Sequence, residues 1–144
     1  MPVDRLKIGR TKERECAEVM CEHGQLRAYW IPPRAKYDSQ DIFGVFDILG
    51  IDRSGAICGI QVCRKRPSDI GIRKAKIALF CRDYQAAIRP IVAYYHKGGY
   101  TLEEYIAWDY TWRITALLPY PVLDDDKALG DVDLKLGVDV ARDD

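Results

Sequence analysis

Three oxygen-bearing side chains stand where the surrounding sequence calls for hydrocarbon. Asp47 interrupts the apolar run "FGVFDILGID", and Gln61 interrupts "GIQVCRKR". Side chains alternate across a strand, so Val45, Asp47 and Leu49 share one face of the first run. Gly59, Gln61, Cys63 and Lys65 share one face of the second. The turn-forming "DRSG" between the runs makes them a hairpin and brings Asp47 beside Gln61. The third side chain is Glu13. On a wheel of about 100° per residue it falls inside the stripe formed by Cys16, Ala17, Met20 and, at its edge, Val19. Glu15, Glu18 and Glu22 fall together on the opposite, solvent face.

Carboxylate and amide oxygens are what Mg²⁺ takes, completed by waters and substrate phosphate. A buried carboxylate is costly, and a bound cation removes that cost. The expectation is a divalent ion, Mg²⁺ or Mn²⁺, held near Asp47 and Gln61. Two plainer readings stay open: Glu13 faces its own helix N-terminus, or Asp47 and Gln61 simply hydrogen-bond to each other in an unrelated α/β domain.

The elements that must position these groups follow from the same pattern. Residues 1–10 read as a loose arm. Thr11 caps a helix over about 12–23, which Gly24 ends. "QLRAYWIPP" reads as a short strand stopped by prolines, residues 34–42 as a loop, and 42–52 and 56–65 as the hairpin. Ser68 or Asp69 caps a helix over 69–87. Pro90 starts a further helical turn in "RPIVAYYHK", closed by Gly98-Gly99. Residues 101–112 read as a strand, with a capping-box helix from Thr101 and Glu104 as the competing assignment. The expected class is α/β or α+β: a small mixed sheet with a central antiparallel hairpin, flanked by helices. One domain is expected, its core in residues 1–118, with 119–144 an acidic extension.

Apolar content of 48% and charged content of 31% suit a globular chain of 144 residues with a core of its own. No apolar run reaches the ~20 residues that cross a bilayer, and no signal-like N-terminus is seen. The expected location is the cytoplasm, or the host cytoplasm if the protein is phage- or virus-encoded. Five cysteines form no C-x-x-C pair, which argues for free thiols over a zinc or redox motif. The formal net charge is zero but unevenly spread. From Pro121 on, eight aspartates face only Lys127, Lys135 and Arg142, so the rest of the chain is basic. A basic middle points to a polyanion partner. The aromatics of the second half, Tyr94 to Trp112, suit either base stacking or a core or subunit interface.

These residues resemble the PD-(D/E)XK nuclease superfamily, whose αβββαβ core carries an acid on one hairpin strand and (D/E/Q)-x-K on the next. Here the positions read Asp47 and Gln61-Val62-Cys63. "IQVCRK" is similar to the "IQ-x-K" strand of Mrr-like restriction endonucleases. "ERECAEVMCEHG" (13–24) looks like the opening helix of archaeal Holliday junction resolvases, whose first glutamate falls on Glu13. The resemblance spans about residues 11–110 and implies a restriction-endonuclease-like fold. It implies a metal-dependent DNA endonuclease, structure-directed and resolvase-like, acting on branched or duplex DNA, with a homodimer as the default. Glu13, Asp47, Gln61 and the Val62 carbonyl would hold the metal.

The family's lysine position is occupied by Cys63. Lys65, on the same strand face, would substitute, or Lys74 or Lys76 from the following helix. Arg34, Lys36, Arg64, Arg66 and Arg73 would hold backbone phosphates. The missing lysine also admits a second reading: a nuclease fold that has lost its chemistry and serves as a DNA-binding or assembly module.

Overall fold

The computed structural model describes residues 5–33, 41–85, 87–120 and 139–140, excluding the side chains of 5–8 and 139–140. The elements are α1 (Arg5–Glu22), β1 (Ala28–Trp30), β2 (Ile48–Ile51), β3 (Ile57–Arg64), α2 (Pro67–Tyr84), β4 (Arg89–His96), β5 (Gly99–Ile106), β6 (Thr111–Pro119) and β7 (Asp139–Val140). They build one mixed sheet in the order β6-β5-β4-β3-β2-β1-β7. β1, β2 and β3 form an antiparallel meander. α2 then carries the chain back so that β4 lies parallel to β3. β5 and β6 continue antiparallel.

β3 is the central strand, and its six residues Cys58–Cys63 are all buried. Burial at successive positions means that both faces are covered. Cys16, Ala17, Val19 and Met20 of α1 pack on Ile48, Ile60, Val62, Ile91 and Ala93. Ile77 and Phe80 of α2 pack on Phe46, Cys63, Val92 and Tyr94. Neighbouring residues of β3 and β4 thus divide between the clusters, which puts the helices on opposite faces in a three-layer α/β/α arrangement. Gly59 lets α2's side close tightly: a Cβ there would meet the Phe46 ring at 2.7 Å.

Several elements differ from the sequence reading. α1 begins at Arg5 rather than after Thr11. Arg, Leu and Lys are good helix formers, and one glycine, Gly9, does not stop them. α2 begins at Pro67, a residue preorganised for the first helical position. Its N-cap is Arg66, with extended backbone and no side-chain cap, so neither Ser68 nor Asp69 caps it. It ends at Tyr84, and Gln85 takes the left-handed C-cap conformation.

The run 42–52 is a strand only from Ile48. Phe43 and Gly44 both have positive φ, 54° and 72°, and Ile42 bridges Phe46 in a tight loop. Two left-handed residues in succession cannot extend a strand. "RPIVAYYHK" is strand β4, not a helical turn. Its β-branched and aromatic residues fill both faces beside β3, and Pro90 precedes Ile91, the first residue paired with β5. Gly98 and Gly99, with φ of 107° and 147°, close the β4–β5 hairpin. The segment 101–112 is not one strand and not a helix: it spans β5, a turn, and the start of β6. Of the acidic extension, Pro119, which ends β6, Tyr120, and β7, which pairs with β1, lie among the described residues. No helix among them is long and apolar enough to cross a membrane.

Candidate functional site

Asp47 sits at the entrance to β2 rather than within it. Its backbone N–H donates to Ile60 O at 2.8 Å. Its carboxylate Oδ2 accepts the N–H of Val62 at 2.8 Å. β3 outruns β2 at this end, so Val62 has no paired residue on β2. The Asp47 side chain takes the place of the absent strand acceptor. A buried backbone donor needs one, so a structural reason and a chemical one coincide at a single acid.

The same end of the sheet holds a cleft of about 360 Å³. Glu13 comes to it from α1, Asp47 from the start of β2, and Gln61 and Val62 from β3. The wheel's inward glutamate is buried, at 8% exposure, beside Asp47 at 4% and Gln61 at 7%. The three side chains chosen from sequence therefore line one cavity. Asp41 and Asp69 add two further carboxylates to its rim.

Gln61 Oε1 is buried without a hydrogen-bond partner among the described residues, and an amide oxygen in that state fits a hard cation. No group of three His, Cys, Asp or Glu side chains that could hold a metal occurs among the described residues. Mg²⁺ does not require one, since it is usually held through one or two carboxylates with water and substrate phosphate. The residues fit a loosely held Mg²⁺ or Mn²⁺, not a closed protein cage.

The predicted cations separate into groups. Arg64 and Arg73 line the cleft. Lys65 and Arg66, just past β3, are exposed and outside its lining, as is Lys76. Lys74 is engaged elsewhere: its Nζ donates to Glu103 Oε1 at 2.7 Å and lies 5.3 Å from the Trp112 ring centre. Arg34 and Lys36 lie outside the described residues.

Sequence reasoning missed Lys12, which lines the cleft. Its Nζ pairs with Glu15 at 3.2 Å and sits 5.2 Å from the Tyr95 ring centre. Glu15, expected on the solvent face, is buried at 4% exposure. The reason is Tyr100 on β5, whose hydroxyl donates to Glu15 Oε1 at 2.7 Å. The i, i+3 spacing of Lys12 and Glu15 was the available signal.

Both thiols near the site are held in the neutral form. Burial pushes the Cys63 pKa up to about 11, against the lowering influence of Arg73. Burial and then the charges of Asp47, Glu15 and Glu13 push Cys16 well above the ordinary thiol value. Neither is an activated nucleophile. All five cysteines are free. Of the second-half aromatics, Tyr94, Tyr100 and Tyr105 are core residues, while Trp108 and Tyr110 stand exposed at the β5–β6 turn.

Comparisons with protein-family models, with curated proteins and with solved structures each found no match.

Proposed function

We propose that this protein is a metal-dependent DNA endonuclease with a restriction-endonuclease-like core. The observation that carries the reading is the single cleft lined by Glu13, Asp47, Gln61 and Val62 at the end of the central strand. The element order α1-β1-β2-β3-α2-β4 supports it, since it is the αβββαβ order that the sequence resemblance implies.

Asp47 and Gln61, with Glu13 and the Val62 carbonyl, would hold a divalent ion, Mg²⁺ or Mn²⁺. When bound, such an ion polarises a phosphodiester and lowers the pKa of its water. The chain's own residues do the rest. Val62 N–H fixes the carboxylate orientation of Asp47. Arg64 at the cleft, with its exposed chain neighbours Lys65 and Arg66 and the exposed Lys76 of α2, would offer cations to backbone phosphates. No base-reading helix is evident among the described residues, and the reading takes recognition to follow DNA shape, as in a Holliday junction resolvase. Cleavage of two strands calls for two sites, and a homodimer supplies them.

A specific observation favours a second reading. Cys63 stands where the nucleases that the sequence resembles carry a lysine, and a chain without that charge suits a DNA-binding or assembly module. Incubation with branched and linear duplex DNA plus Mg²⁺ or Mn²⁺ separates the two. The nuclease reading expects metal-dependent cleavage that Asp47→Ala abolishes. Binding of the same DNA without cleavage would favour the module.

A further inference from the structure

We propose that Arg73 grips the reacting phosphate, its Nε–H donating to a phosphate oxygen in the cleft that Asp47 and Gln61 also line. This inference rests on the nuclease reading and names the residue that takes over the charge missing at position 63.

Arg73 reaches the cleft from the second turn of α2. Its Nε is buried and has no hydrogen-bond partner among the described residues. A buried donor without an acceptor is expensive, and natural structures rarely keep one without a use. Gln61 lines the same cavity, and its Oε1 is a buried acceptor without a donor among the described residues. One ligand that answers both is a phosphate with its counter-cation: oxyanion to the guanidinium, metal to the amide oxygen. A guanidinium matches that geometry, because its planar fork bonds tetrahedral oxyanions in pairs.

The other cations are excluded by what they touch. Lys12 is paired with Glu15, and Lys74 with Glu103. Lys65, Arg66 and Lys76 are exposed and do not line the cavity. Arg64 lines it but is exposed, which suits a flanking phosphate. Cys63 carries no positive charge in any protonation state, and Arg73 is the charged side chain acting most strongly on it.

The test has two arms. In the first, DNA cleavage with Mg²⁺ is measured for wild type, Arg73→Ala, Arg73→Lys, and Arg73→Ala combined with Cys63→Lys. Arg82→Ala, exposed on the same helix, is the control. Loss of one charge-stabilising donor lowers kcat by about 100-fold or more. Arg73→Ala is expected to show that loss with KM changed little, and Cys63→Lys to restore at least about tenfold. In the second arm, the Arg73 Nε–H resonance of wild type is followed by NMR while inorganic phosphate is titrated with Mg²⁺ present. A saturable shift is expected. No shift, or full activity in Arg73→Ala, overturns the assignment. If wild type does not cleave DNA at all, the nuclease reading fails, and the phosphate titration still decides whether Arg73 binds the anion.

Discussion

Asp47 Oδ2 accepts the backbone N–H of Val62 at 2.8 Å, so the acid proposed to hold metal also finishes the sheet where β2 stops short of β3. The two roles separate by mutation. Asp47→Asn keeps an acceptor for Val62 and removes the charge. Asp47→Ala removes both and leaves a buried N–H unpaired, which costs about 1–3 kcal/mol. Urea denaturation should therefore show Asn close to wild type and Ala clearly weaker, while both lose metal-dependent cleavage.

Metal binding should be visible without any substrate. An ion that binds only the folded state stabilises it by mass action, by about 2.7 kcal/mol at a hundredfold excess over Kd. Thermal unfolding of wild type should rise with millimolar Mg²⁺ or Mn²⁺. Asp47→Asn should abolish that rise. An equal rise in both proteins would place the ion elsewhere.

At the other end of the sheet, Asp52 organises the β2–β3 turn and anchors β4. Its Oδ1 accepts from Ser54 N and Ala56 N, each at 2.9 Å, and its Oδ2 accepts from Arg89 at 2.7 Å. Burial alone would raise its pKa, but the bonds from Ser54, Arg89 and the turn backbone hold it down to about 2, below the ordinary 3.8. A depressed folded-state pKa stabilises the protein above the unfolded value. That contribution is full above about pH 4 and is lost as the pH falls toward 2. Denaturation midpoints measured across that window should drop for wild type, and drop less for Asp52→Asn.

Tyr100→Phe tests the support beneath Lys12. The Tyr100 hydroxyl donates to buried Glu15, and burial followed by nearby acidic groups pushes its pKa far up, so it stays a donor. Removing it leaves Glu15 poorly satisfied, at a cost of about 1–3 kcal/mol. The melting temperature should fall by about 3 °C or more. Glu15→Gln in the Phe background should recover part of the loss, because a neutral amide is cheaper to bury.

Much of the candidate site's lining was legible because its signals are local. Glu13 broke the apolar stripe of its own helix, and the "DRSG" turn put Asp47 and Gln61 on neighbouring runs. The i, i+3 spacing offered the Lys12–Glu15 pair, but its burial was not legible, because the partner that buries Glu15 is Tyr100, 85 residues further along the chain. Lys74 and Arg73 could not be told apart by spacing. The difference is Glu103 on β5, which occupies Lys74.

The sequence by itself determined the two helices, the hairpin turn and the inward glutamate, because 3.6-residue and two-residue periodicities and turn residues act over a few positions. Only the tertiary structure decided that "RPIVAYYH" is a strand, that strand β2 starts after Asp47, and which cations face the cleft. Those outcomes depend on pairing and burial between segments far apart in sequence: β4 extends because β3 and β5 flank it. Asp47 bonds as a side chain because β3 runs past its partner.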